Sequence, residues 1–317
     1  MKKRYRSLNH QFNFIMQNAI AFGASKRSYR KQQGKKKSDK IFSYSSYDSI
    51  KETATSLVKF LKEKHPDVKL IKEIKKEYIT EFLDEKEKTC NDSTLVKHKQ
   101  HIESLALFAS DSFKIKIDLT VDKVYSKKEH QHTKKGRGMT LEVFAAIEEM
   151  LEKSDRKVDK NTLLLMRFCR ISGLRVDELA HQKIKDLYID GGKYNYGYID
   201  VTDGKHGRKR IVDITTEEDR KIIIQVIENS RKEGIDVICK RATATLENRL
   251  TNAKKRAGVN DYLIGWHSIR KLAAQRYYNF VRQNTSRRDA IGLTNLFLGH
   301  GYDRGKNALE TYVTNIW

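Results

Sequence analysis

Two arginines, two histidines, a lysine and a late tyrosine are the residues of this chain that can do chemistry together. They fall in Gly173-Leu174-Arg175-Val176-Asp177-Glu178-Leu179, Asp203-Gly204-Lys205-His206-Gly207, His267-Ser268-Ile269-Arg270, Leu298-Gly299-His300 and at Tyr312. A phosphodiester under attack gains negative charge on its non-bridging oxygens, and a cation must meet that charge where it develops. Arginine suits the task because its planar fork binds two oxygens and keeps its proton, so Arg175 and Arg270 are the candidates. His267 and Arg270 are three residues apart, so a helix points both to one side. His300 lies between Gly299 and Gly301, which suits a helix end with the imidazole exposed. Tyr312 would be the nucleophile, since a tyrosyl oxygen can form a covalent phosphotyrosine that stores the bond energy. Lys205, at a hairpin tip, can donate the proton that the leaving 5′-oxygen needs, with Arg208, Lys209 and Arg210 as its rivals. No carboxylate cluster suggests Mg²⁺ or Zn²⁺ and no GxxxxGK[ST] loop suggests ATP, so no cofactor is expected.

Taken singly, each element is weak. A lone HxxR is usually a surface helix pair, Arg175 could do no more than pair with Asp177 or Glu178, and Tyr312 alone reads as a packing residue. The specificity lies in the order and spacing of all six. His181 and His206 read as bystanders.

The elements that must position these groups are mostly helices. Residues 44–120 carry helical periodicity, with Ile50, Ala54, Leu57, Val58 and Leu61 on one face. Tyr78, Ile79, Phe82 and Leu83 follow, then Leu95, Ile102, Leu105, Ala106, Phe108 and Ala109. This predicts a bundle of about four helices, with Asp92 or Ser93 capping the third segment. Residues 121–138 turn polar and basic and read as a linker. Helical patterns resume at Thr140 and Thr162, break at Ser172-Gly173-Leu174, and continue from Val176 to His181. Strand signals appear at 187–189, 196–201 and 210–214, the last two joined as a hairpin. Tyr194, Tyr196 and Tyr198 alternate there and are expected to pack. Further helices are expected at Thr216–Ser230, Ala242–Ala257, His267–Phe280, Arg287–Phe297 and Gly305–Val313. The fold class is therefore mainly α (α+β), with a small three-stranded antiparallel sheet in the second half.

Charge points to the partner. The 317 residues hold 64 Lys and Arg against 41 Asp and Glu, a formal charge of +23. Nucleic acid is the simplest partner for so much self-repelling charge, ahead of an anionic membrane. Residues 1–40 hold twelve Lys or Arg and one acid, Asp39. Residues 1–43 read as a basic arm, either disordered or laid along phosphates through Lys35, Lys36 and Lys37. Phe12, Phe14, Ile15, Met16, Ile20 and Phe22 within it form an apolar patch able to dock on something. Arg208, Arg210, Arg241, Arg249 and Lys254 are further candidates for DNA contact, with a solvated face as the alternative for the last three. Cys90, Cys169 and Cys239 lack CxxC spacing, which argues against a disulfide scaffold or a zinc site and fits a reducing cytoplasm. No apolar run approaches a membrane span, and the N-terminus lacks a secretory signal. Lys-, Ile- and Asn-rich composition hints at an AT-rich bacterial or phage genome.

These residues together resemble the tyrosine recombinase (phage integrase) family. Arg175 matches its first arginine, Lys205 its hairpin lysine, His267 and Arg270 its HxxR pair, His300 its Leu-Gly-His and Tyr312 its nucleophile. Glu178 matches the acid that follows the first arginine by three and buttresses the site. The match covers residues 139–317, read as a catalytic domain, while residues 44–120 resemble the family's helical core-binding (SAM-like) domain less specifically. The resemblance implies a C-shaped clamp on duplex DNA, a 3′-phosphotyrosine intermediate and a homo-tetrameric synapse, with monomers or dimers as the free forms. Two features depart from the pattern. The interval from His300 to Tyr312 is longer than in many members, which leaves Tyr302 as a rival nucleophile. The chain ends five residues after Tyr312, so Val313, Ile316 and Trp317 would form only a shortened docking tail. A type IB topoisomerase-like nicking-closing enzyme and a non-catalytic basic DNA-binding protein are the alternative functions.

Overall fold

The computed structural model describes residues 7–34, 39–122, 138–204, 208–261, 264–304, 309, 312 and 313. The chain divides into two compact units, Met1–Gln131 and His132–Trp317, each with its own apolar core.

The first unit is helical: α1 (Leu8–Asn18), α2 (Lys26–Gln33), α3 (Tyr44–Lys64), α4 (Lys76–Glu87) and α5 (Asp92–Phe113), with a 3₁₀ turn at Ile71–Glu73. The face of α3 chosen by its spacing is the buried one, and it meets Phe82 and Leu83 of α4 and Leu95, Ile102 and Leu105 of α5. The cap of α5 is Asn91, whose Oδ1 accepts the Thr94 N–H at 2.9 Å, while Asp92 is the first-turn acid favoured by the helix dipole.

The N-terminal segment departs from a free arm. Leu8, Phe12, Ile15 and Met16 repeat at helical spacing, and α1 buries all four in this core against α3 and α5. Each such side chain contributes about 1.5–3 kcal/mol on burial, which favours docking of the helix over leaving its stripe in water. The apolar patch therefore docks on its own unit, which starts well before residue 44. Lys35, Lys36 and Lys37 lie outside the described residues, as do residues 123–137 of the expected linker.

The second unit runs α6 (Leu141–Glu152), α7 (Lys157–Ser172), α8 (Val176–His181), β1 (Leu187–Tyr188), β2 (Tyr198–Gly204), β3 (Arg208–Asp213), α9 (Glu217–Lys232), α10 (Thr243–Arg256), α11 (Trp266–Arg282) and α12 (Arg287–Phe297). The strands form one antiparallel sheet in the order β1-β2-β3. Ile199 faces Val212 and Val201 faces Arg210, so those four side chains share the inner face. β2 begins at Tyr198 rather than Tyr196, because Gly197 leaves the extended region at φ 99° immediately before it. Tyr194 packs edge-on against Phe280 at 5.1 Å, and Tyr198 stacks on Tyr188 at 4.3 Å. α11 is the central helix: Trp266, Ile269, Arg270, Ala273 and Ala274 are buried on it, and it packs against both α7 and α12. Among the described residues no helix is long and apolar enough to cross a membrane.

Candidate active site

A short loop between α7 and α8 sets the first arginine. Arg175 is the N-cap of α8, with extended backbone (φ −72°, ψ 156°). Glu178, at the third helical position, accepts the Arg175 N–H at 2.9 Å and its Nη1 at 2.6 Å. These two bonds, both donated by Arg175, fix the arginine while leaving 23% of its side chain exposed.

Arg270 is held differently. It is wholly buried on α11, where Nη2 donates to the Leu298 carbonyl at 2.5 Å and Nη1 donates to the Gly173 carbonyl. Those carbonyls belong to the ends of α12 and α7, where helix dipoles leave partial negative charge and orphan acceptors. Two helix ends thus solvate the buried guanidinium. Burial, then the nearby charges of Arg175 and Arg210, lower its pKa to about 10, which still leaves it charged at neutral pH.

Glu178 joins the cations. Its carboxylate also accepts Arg210 Nη2 at 2.8 Å and Nη1 at 3.1 Å, and it lies 3.7 Å from Arg270 Nη1. Burial alone would raise its pKa. The Arg210 hydrogen bond and charge, the Arg175 N–H and the Arg270 charge outweigh that and hold it at about 2.

The end of α12 sets His300. The His300 N–H donates to the Asn295 carbonyl at 2.7 Å and the Gly299 N–H to the Leu296 carbonyl at 2.8 Å, which is a Schellman turn. Such a turn needs a left-handed residue, and Gly299 supplies it at φ 69°. The turn aims His300 inward, so the imidazole is 9% exposed rather than open to solvent as its place between two glycines suggested.

Tyr312 meets these groups. Its ring centre is 5.4 Å from that of His267 and 5.5 Å from that of His300, both edge-on. The guanidinium carbon of Arg270 is 5.7 Å from the same ring centre. Buried Leu309 and Val313 anchor the turn, and the Tyr312 N–H donates to the Leu309 carbonyl at 2.7 Å. His267 keeps an open edge, yet desolvation and the charges of Arg270, Lys271 and Arg175 bring its pKa down to about 4. It is therefore neutral at pH 7 and can accept a proton.

Five of the six residues singled out for chemistry thus have described positions around this cluster. Lys205 lies outside the described residues, with His206 and Gly207. Tyr302 is engaged elsewhere: its hydroxyl donates to Asp289 at 2.6 Å and its ring packs against Gly292. His181 is exposed and bonds the Asp177 carbonyl at 2.7 Å.

The expected DNA contacts divide. Arg241 is exposed and Arg249 half-buried on the α10 side, and the side chain of Arg208 is outside the described part. Lys254 and Arg210 turn inward, contrary to expectation. Lys254 is buried, and its Nζ donates to the Asp261 carbonyl at 3.2 Å and to that of Ile264. Arg210 is buried, donating from Nε to the Phe297 carbonyl at 3.0 Å besides its two bonds to Glu178. Both positions were readable. Lys254 follows Leu246 and Leu250 at four-residue steps on one helix face. Arg210 alternates with Val212 and Ile214, so it shares their inner face.

Residues 139–283 match the phage integrase family. Solved structures similar to the chain include a lambda integrase dimer bound to a COC′ core site, at 16% identity and TM-score 0.61, covering 91% of this chain and 76% of that one. A lambda integrase tetramer bound to a Holliday junction is similar at 15% identity and TM-score 0.64, covering 95% and 79%. XerH site-specific recombinase in a post-cleavage complex with a palindromic difH substrate is similar at 15% identity and TM-score 0.66, covering 96% and 90%. No curated protein matches the sequence.

Proposed function

From the match of residues 139–283 to the phage integrase family, we propose that the protein is a tyrosine recombinase that breaks and rejoins duplex DNA at specific sites through a 3′-phosphotyrosine. The single observation that carries this reading is the Tyr312 ring, set 5.4 Å from His267, 5.5 Å from His300 and 5.7 Å from the Arg270 guanidinium carbon.

In the proposed reaction the Tyr312 oxygen attacks phosphorus. A Tyr–O–P bond forms, the P–O5′ bond breaks, and the phosphate stays on the 3′ end. The tyrosyl proton passes to a neutral acceptor, for which His267 is suited because burial, then nearby cations, keep it unprotonated above about pH 4. Arg175 and Arg270 meet the charge that grows on the non-bridging oxygens. Lys205 gives the 5′-oxygen its proton. Attack by a 5′-hydroxyl of another strand reverses each step, and the covalent link conserves the bond energy, so neither ATP nor a metal is required. His300 packs against the tyrosine and orients it. Exchange between two duplexes needs four strand breaks, so a homo-tetramer on synapsed DNA is the working assembly, and a protein acting on bacterial or phage DNA works in the cytoplasm.

The test is capture of the intermediate. A nicked suicide duplex carrying the recombination site, incubated with the protein and run on a denaturing gel, should yield a protein–DNA adduct, and peptide mapping should place the nucleotide on Tyr312. Binding without an adduct would leave a non-catalytic DNA-binding protein. Relaxation of supercoiled plasmid lacking any site would instead favour a nicking-closing enzyme.

A further inference from the structure

We infer that Arg210 is a positioning residue of the cleavage reaction, acting as the resident counter-ion of Glu178 so that Arg175 and Arg270 remain available to the phosphate; this rests on the recombinase reading above. The hairpin residue looked like a DNA contact, but its guanidinium faces the interior.

Three arginines surround one carboxylate. Glu178 Oε1 accepts Arg175 at 2.6 Å, and Arg210 reaches both of its oxygens at 3.1 and 2.8 Å. Arg270 stands back at 3.7 Å from Oε2. Arg210 therefore takes the second oxygen, which would otherwise draw Arg270 in. Three guanidinium charges around one carboxylate leave a net charge of two for a substrate anion, with Arg175 keeping its own bond to Oε1 and Arg210 holding both oxygens. The pairing is buried, so it is neither hydrated nor screened by salt as a surface pair would be.

The same side chain ties together the segments that carry the other groups. It springs from β3, five residues after Lys205. Its Nε donates to the Phe297 carbonyl at the end of α12, two residues before Gly299 of the turn that aims His300. A Cβ built on Gly299 would lie 3.1 Å from Arg210 Nη1 and 3.2 Å from its Cδ, so the guanidinium runs directly beneath that turn. A planar fork with donors on three edges is what lets one residue bond α8 and α12 at once, which a lysine cannot reproduce.

Rates of adduct formation on the suicide duplex would be measured under single turnover for the wild type, Arg210→Met, Arg210→Lys, Glu178→Gln and the double variant Arg210→Met/Glu178→Gln. DNA affinity would be measured in parallel over a salt series. Arg210→Met is expected to slow cleavage roughly 100-fold by misplacing the phosphate clamp, with affinity and salt slope unchanged. The double variant is expected to recover roughly tenfold, because removing the orphaned carboxylate charge frees Arg175 and Arg270 again. Arg210→Lys, which keeps the charge and loses the fork, is expected to fall between wild type and Arg210→Met. If Arg210→Met does not fold, the double and lysine variants are compared with wild type in the same way. A double variant no faster than Arg210→Met would overturn the counter-ion role and leave packing. A salt slope lowered by about one, with affinity falling in step, would show a phosphate contact instead. Wild-type rates in Arg210→Met would overturn it outright, whereas failure of the wild type to form any adduct would remove the recombinase reading on which it stands.

Discussion

The guanidinium carbon of Arg270 lies 5.7 Å from the centre of the Tyr312 ring. One residue sits on the central buried helix and the other forty-two positions later in the chain, so only folding brings them together. The contact is a cation–π pair in which a charge solvated by two helix ends also holds the ring that carries the candidate nucleophile. The proposed clamp for the phosphate and the group proposed to attack it are therefore parts of one packed cluster.

Removing only the hydroxyl should separate chemistry from packing. Tyr312→Phe keeps the ring and its neighbours, so DNA affinity and melting temperature should stay near wild type while the covalent adduct disappears from a denaturing gel. Tyr302→Phe loses the bond to Asp289 and should still form adduct at the wild-type rate. Adduct in the first variant, or its loss in the second, would move the nucleophile.

Arg270 should matter for folding as well as cleavage. Arg270→Met leaves the carbonyls of Gly173 and Leu298 buried without their donor, at about 1–3 kcal/mol each. Urea unfolding should therefore show a loss of about 2–6 kcal/mol, well beyond that of Arg175→Ala, whose side chain is partly exposed. Equal stability in the two variants would contradict the buried cradle.

Gly299→Ala should be costlier than a glycine-to-alanine change at a comparable φ in open space. A Cβ at position 299 (φ 69°) would lie 3.1 Å from Arg210 Nη1, whereas one at position 258 (φ 72°) would meet nothing within 4 Å. The left-handed strain is shared, at about 1–2 kcal/mol. The extra displacement of Arg210 should lower the melting temperature further and slow cleavage only in Gly299→Ala.

Salt titrations should sort the basic residues of α10 and its approach. Binding should weaken steeply with salt as phosphate contacts release counter-ions. Arg241→Ala, at an exposed position, should reduce the slope of log K against log salt by about one. Lys254→Met should leave that slope alone and lower stability instead, because its ammonium serves two buried carbonyls. A changed slope in Lys254→Met would return that residue to the DNA face.

Stability should depend on pH between 6.5 and 4. Burial brings down to about 4, from the ordinary 6.5, both His267 and His101, the latter on α5 with its Nδ1 2.9 Å from Thr53 Oγ1. The unfolded chain takes up protons first, so their stabilising effect is full above pH 6.5 and declines as pH falls towards 4. Glu178, held near 2, adds no loss until pH drops below its ordinary value of 4.5. Melting curves at pH 7.5 and 5 should therefore differ, and His267→Gln with His101→Gln should narrow the gap. An unchanged gap in the double variant would place the proton uptake elsewhere.

Much was legible without a structure, because local rules wrote it. The buried stripe Ile50, Ala54, Leu57, Val58 and Leu61 follows from helical period alone. The hairpin register follows from alternation around a Gly-rich turn, and the Leu-Gly-His stop follows from a glycine's freedom to take φ 69°. The candidate set Arg175, His267, Arg270, His300 and Tyr312 was legible from residue types, order and the family resemblance, since cations, imidazoles and a phenolic oxygen suit attack on a phosphodiester. What needed the tertiary structure was direction. Whether the α1 stripe packs on its own unit, whether Arg210 and Lys254 face solvent or core, and whether His300 is open or covered all depend on what lies across from them. Charge tells a residue's affinity for anions, but a buried carboxylate or an orphaned helix carbonyl is an anion too. The sequence named the cations; only the packing of β3, α8, α11 and α12 decided which of them answer to the protein itself and which remain for a phosphate.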